Sequence, residues 1–159
     1  MSLFFYGHAA GKPYNFLSNF YVVPGGFYFR DLHFPTSEHA MMFSKAALMG
    51  DSISANLIKT AKTPLEAKKL GRKVKPFDQN KWERDREELM TAILVAKFSK
   101  SEMKKLLLDI GESVCIYEAS PRDKIWGIGL CKERAEAGEA HRGKNLLGKC
   151  LMRARAQLA

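Results

Sequence analysis

The feature that most limits the fold is a change of hydrophobic period at Pro35. Before it, residues 3–34 are rich in aromatic and β-branched side chains broken by turn residues; after it, apolar residues recur at helical spacing. Phe4-Phe5-Tyr6 and Tyr21-Val22-Val23 read as short strands, and Pro24-Gly25-Gly26 before Phe27-Tyr28-Phe29 reads as a hairpin connection. Thr36 or Ser37 caps a helix from Glu38 to about Met49, which Gly50-Asp51 closes. Further helices are expected over Ser52–Ala61 and from near Pro64 to Gly71. Past the basic linker Arg72-Lys73-Val74-Lys75-Pro76, another runs between Asp78 and Phe98, with Trp82 on its polar first half. Packing of Trp82 against the Phe16–Phe20 loop is the structural reason expected for it.

Ser101 caps a short helix through Ile110, Val114–Tyr117 reads as a strand, and a last helix begins near Lys144. Its stripe is Leu147, Cys150, Leu151, Ala154 and Leu158, with Arg153 and Arg155 pointing elsewhere. Residues 127–143 lack a period and read as a long surface loop. The expected architecture is α+β: a helix-dominated single domain over residues 1–159 with a small N-terminal β/loop layer.

With 159 residues, 46% of them hydrophobic, the chain can bury a core, which excludes disorder over most of its length. Cys115, Cys131 and Cys150 are odd in number and form no CxxC pair, so neither a disulfide framework nor a zinc knuckle is suggested. Together with the lack of a signal leader or membrane span, this predicts a soluble, intracellular protein: cytoplasmic, or nuclear in a eukaryote. The net charge of +9 favours an anionic partner such as nucleic acid, nucleotide or phosphorylated metabolite. That excess lies in residues 59–105, with 14 basic against 7 acidic side chains, and in residues 141–159, with 5 against none. Residues 1–58 are neutral.

Within the neutral third, Glu38 and Lys45 are seven positions apart, so on a helix they differ by only about 20° around the axis. Helical side chains lean toward the N-terminus, which aims the Lys45 amine back at Glu38 across Met41 and Met42. Apolar surroundings lower a lysine pKa and ion pairing raises it; spacing does not decide between them, and on spacing alone a solvated pair is the commoner outcome. His39 invites a metal reading, yet no second ligand follows at coordinating spacing. The expectation is therefore no metal.

A second constellation runs from Tyr117 to Gly129. A strand turns to present Glu118 and Asp123, and Trp126-Gly127 follow, a combination suited to stacking a flat base, although a lone Trp126 is more often a core anchor. Gly143-Lys144-Asn145 opens the last helix beside Arg142, where free backbone N–H groups and the helix dipole would favour a phosphate.

These pieces occur together and in order in the NADAR (YbiA-like) family, which the chain resembles from about Phe4 to Leu158. The landmarks are Phe5-Tyr6, Phe16-Leu17-Ser18-Asn19-Phe20, Pro35-Thr36-Ser37-Glu38-His39 with Lys45, Gly71-Arg72 and Lys81-Trp82. Then follow Ala96-Lys97-Phe98, Glu118, Asp123 with Trp126-Gly127, Asn145-Leu146-Leu147-Gly148, Leu151-Met152 and Arg155. The stretch from Ile128 to Arg142 is longer here than in other members. The resemblance implies an N-glycosidase that cleaves a C1–N bond between a phosphorylated ribose and an amine. The implied substrates are ADP-ribose on the exocyclic amine of guanine, in nucleic acid or free nucleotide, or a ribosylamino intermediate of riboflavin synthesis. ADP-ribose is the product of the first. A non-catalytic ADP-ribose-binding module is the alternative.

On this reading Lys45 is the nucleophile that forms a Schiff base, Glu38 relays protons, and Asp123 orients or activates them. Ser18 and Asn19 hydrogen-bond the substrate, Trp126 stacks, Glu118, Gly127 and Asn145 line the site, and Arg72 or Lys144 reaches the pyrophosphate. No cofactor, membrane or protein partner is implied.

Overall fold

A computed structural model describes residues 1–159. In chain order the elements are strand β1 (Ser2–Phe5), strands β2 (Phe27–Phe29) and β3 (Leu32–Phe34), and helices α1 (Ser37–Leu48), α2 (Ser52–Lys59), α3 (Pro64–Gly71), α4 (Gln79–Lys97) and α5 (Ser101–Leu108). They continue with strand β4 (Cys115–Glu118) and helices α6 (Lys132–Glu136) and α7 (Leu146–Leu158). The fold is α+β and dominated by helices. Its residues form two compact units: Asn19–Lys97, and Met1–Ser18 together with Phe98–Ala159.

In the contiguous unit, β2 and β3 pair antiparallel, Phe27 opposite Phe34 and Phe29 opposite Leu32. Arg30 and Asp31 make the turn, at φ of 50° and 67°. Two consecutive left-handed residues match the right-handed twist of a hairpin. The hairpin thus lies one element later than the Pro24-Gly25-Gly26 connection expected from sequence. Tyr21-Val22-Val23 is not a strand: the Val23 N–H donates to the Pro35 carbonyl at 2.9 Å instead of joining a ladder.

Helix α1 starts where its cap predicts. Thr36 is extended at φ −139°, and its side chain accepts the His39 N–H. Asp51 caps α2, and Thr63 with Pro64 behind it caps α3. Against α1 pack α2, α3 and α4, burying Phe27, Phe34, Met41, Ile58, Met90 and Ile93. Each such side chain contributes about 1.5–3 kcal/mol. Gly71 permits the closest approach of α3 to α1, since a Cβ there would run into the Met42 side chain.

In the other unit, β1 pairs parallel with β4, Ser2 opposite Cys115 and Phe5 opposite Glu118. The N-terminal β layer is therefore completed by a strand more than a hundred residues on. Helix α7 packs on β4, and its Leu147, Cys150 and Leu151 are fully buried. Lys100 rather than Ser101 is the N-cap of α5. Helix α6 interrupts the stretch read as one long loop. Arg155, expected to point away from the core, is buried instead: Nη1 donates to the carbonyls of Gly111 and Val114 at 2.8 Å, and Nη2 to that of Glu112 at 3.2 Å. A guanidinium offers five donors in a planar fork, and three carbonyls clustered in the Gly111–Val114 turn match it.

Candidate active site

Helix α1 brings Glu38 and Lys45 onto one face, both half-buried. The Lys45 Nζ lies 4.9 Å from the centre of the Phe77 ring and 5.7 Å from that of Trp82. Burial is the largest influence on this amine and holds it below the ordinary lysine range; the Glu38 carboxylate opposes the shift and the Arg72 guanidinium adds to it. Of the two opposing effects that spacing left open, desolvation is the larger at this position. Arg72, just past α3, therefore shares this electrostatic neighbourhood.

Trp82, expected to be structural, lies close to the Lys45 amine. It is buried, and its ring centre is 5.7 Å from Lys45 Nζ. An aromatic residue in the polar half of a long helix was the available signal. Phe77, exposed and next to Pro76, offered none.

The N-terminus of α1 holds the loop before it. The Glu38 N–H donates to the Asn19 carbonyl at 3.0 Å, and the Ser37 hydroxyl donates to Asn19 Oδ1 at 2.8 Å. Lys68 Nζ sits 5.7 Å from the Phe20 ring centre. Asn19 is thus fixed beside the carboxylate-bearing turn. Ser18 is buried at the end of a 3-10 turn, Asn15–Leu17, in the other unit.

His39 is structural. Its Nε2 lies 2.9 Å from the Ala61 carbonyl and must donate, which leaves Nδ1 to accept the Thr36 hydroxyl at 2.7 Å. Burial holds this imidazole below its ordinary pKa, as the neutral tautomer requires. Nε2 carries the proton and the Nδ1 lone pair accepts the Thr36 hydroxyl, so neither nitrogen is open to a metal.

The remaining expected residues lie in the unit containing β4. Asp123 Oδ1 accepts the N–H groups of Ile125 at 3.0 Å and Trp126 at 2.8 Å, so it shapes the turn that carries Trp126. Trp126 is half-buried. Gly127 is buried, and a Cβ there would lie 2.9 Å from the Asp123 carbonyl and 3.1 Å from that of Glu118. Its lack of a side chain serves this turn. Asn145, left-handed at φ 53°, spends its amide on β4: Oδ1 accepts from the Glu118 N–H and Nδ2 donates to the Ile116 carbonyl, each at 3.0 Å.

The expected phosphate cradle at the start of α7 is corrected by the backbone. The N–H groups of Lys144, Asn145, Leu146 and Leu147 donate to the carbonyls of Lys124, Gly127, Ile125 and Trp126 at 2.8 to 3.1 Å. Those donors are not free for an anion. The exposed Lys144 ammonium is the charge left at that end.

A cavity of about 540 Å³ lies elsewhere, between the hairpin, α1 and α4. It uses Phe43 and Ala47, the side of α1 roughly opposite Lys45, and includes none of the expected residues. No helix is long and apolar enough to cross a membrane.

The NADAR domain model matches residues 4–159. An N-glycosidase of Acanthamoeba polyphaga mimivirus is 38% identical over 125 residues, covering 77% of this chain and 73% of its own. An N-glycosidase of Nostoc punctiforme is 31% identical over 159 residues, covering 99% and 93%. The solution structure of Escherichia coli YbiA superposes with a TM-score of 0.76 at 29% identity, covering 98% of this chain and 84% of that one. The match over nearly the whole chain, with a shared α+β fold, places this protein in the NADAR family.

Proposed function

We propose that the protein is an N-glycosidase acting on a nucleotide-like substrate, and that it hydrolyses the bond between C1 of ADP-ribose and the exocyclic amine of guanine. The carrying observation is the Lys45 amine, half-buried against Phe77 and Trp82 and held below its ordinary pKa by burial. A neutral amine is a nucleophile; an ammonium is not. The naming of relatives as N-glycosidases supports the bond type.

The substrate is a glycosylamine, so its ring can open to an imine between C1 and guanine. The Lys45 amine adds to C1, guanine leaves with its amine reprotonated, and C1 is held as an imine of Lys45. Water then adds to C1, ADP-ribose departs as the aldehyde and closes, and the amine is regenerated. Glu38, on the same helix face, delivers the proton to the leaving amine and takes one from the water. Asn19, tied to the first turn of the same helix, hydrogen-bonds the substrate. Arg72, which shares the electrostatic neighbourhood of Lys45, attracts the pyrophosphate.

Borohydride added during turnover of ADP-ribosylated guanine DNA should reduce the imine and leave a stable adduct on Lys45, located by peptide mass spectrometry. Lys45→Ala should lose both adduct and product. Turnover without a trappable adduct, with Lys45→Ala retaining most of the rate, would refute the covalent route. RNA, free nucleotide and a phosphorylated ribosylamino intermediate, run in the same assay, rank the substrates.

A further inference from the structure

Lys97, the last residue of α4, is completely buried. Its Nζ lies 3.4 Å from Ser37 Oγ and 5.9 Å from the Tyr21 ring centre. Ser37 is the first residue of α1 and adjoins Glu38. Asn19 Oδ1, 2.8 Å from Ser37 Oγ, can only accept, so the single hydroxyl hydrogen of the serine goes to it. Ser37 Oγ in turn accepts from Lys97, whose amine has hydrogens to give whether charged or neutral. An amide whose oxygen is taken in this way turns its NH₂ group to the other side.

We infer that Lys97 is a positioning residue which, acting through Ser37, orients the Asn19 amide so that its NH₂ presents donors to a substrate oxygen. The partner chemistry is an acceptor: a phosphate, hydroxyl or carbonyl oxygen of the ligand. The same serine adjoins Glu38, whose N–H is held by the Asn19 carbonyl at 3.0 Å, so one chain of contacts sets both the donor and the helix turn bearing the carboxylate. With Lys97 replaced by an apolar side chain, the serine hydroxyl is released to accept or donate, and the amide loses its fixed sense. This inference rests on the proposed ADP-ribosyl substrate only for the choice of ligand.

Two measurements decide it. In the ligand-free protein, the Asn19 side-chain NH₂ resonances should move in both Lys97→Met and Ser37→Ala; unmoved resonances in both overturn the inference. Calorimetric titration with ADP-ribose should show about tenfold weaker binding for Lys97→Met. In an Asn19→Ala background the same change should have almost no further effect, because the donor it orients is gone. A structural role alone predicts an equal loss in both backgrounds, and that result also overturns the inference. Normal binding of ADP-ribose without cleavage of ADP-ribosylated guanine sinks the proposed reaction and leaves the Lys97 result standing. If the wild type binds no ADP-ribose, the ligand reading fails, and the amide resonances alone then decide whether Lys97 positions Asn19.

Discussion

Replacing Lys97 by Met should change the pH dependence of stability in a way few surface substitutions can. Burial lowers the Lys97 pKa from 10.5 to about 7. Between those values the unfolded chain carries a proton that the folded chain does not, so stability rises with pH across that window. Protonated in the unfolded state and neutral when folded, the amine destabilises the protein at pH 7 by about 4 kcal/mol and at pH 9.5 by about 1 kcal/mol. Because the side chain is fully buried, solvent screening does not reduce this figure. Methionine keeps the length and apolar stem of lysine and removes the titration. The stability of wild type relative to Lys97→Met should therefore rise by about 3 kcal/mol from pH 7 to pH 9.5. Urea denaturation at both pH values, followed by circular dichroism, measures the two differences, and other titrating groups cancel between the proteins. A difference that stays flat, or that falls with pH, would show that Lys97 keeps its proton in the fold.

Trp82→Ala opens the wall beside Lys45 to water. The amine pKa should move back up, and the ascending limb of the pH–rate profile should follow, with about tenfold less activity below it for each unit; a limb moving down contradicts dominant desolvation. Arg155→Leu strips three carbonyls of a buried charged partner and should lower stability by about 2–4 kcal/mol in chemical denaturation, whereas an unchanged midpoint contradicts the clip. Gly71→Ala drives a Cβ into Met42 and should destabilise by about 1–3 kcal/mol, a loss that Met42→Ala added to it should partly relieve. Equal thermal midpoints for wild type and Gly71→Ala would mean that α1 and α3 yield freely.

How far the sequence reaches depends on how local each feature is. Helix α1 was legible because Thr36, the period after Pro35 and Gly50 are all within one element. The facing of Glu38 and Lys45 followed from helix geometry alone. The pairing of β1 with β4 was not legible, since nothing in Ser2–Phe5 names a partner at Cys115–Glu118. Arg30-Asp31 carries no glycine, so its primed turn was passed over in favour of the glycine pair before it. Trp82 stood out as an anomaly, but its direction depends on how α4 packs against α1. The donors at the head of α7 looked available because the carbonyls that take them belong to a turn nearly twenty residues earlier.

The parallel pairing of Ser2–Phe5 with Cys115–Glu118 has a consequence for synthesis on the ribosome. Asn19–Lys97 is one uninterrupted stretch, and all of it leaves the ribosome ahead of Glu118. The first strand, although translated earliest, stays without its partner until Glu118 has emerged. Domains fold as units during translation, and long-range strand pairing is slow. The stretch bearing Glu38, Lys45 and Lys97 is thus expected to take shape first, and the oldest part of the nascent chain last.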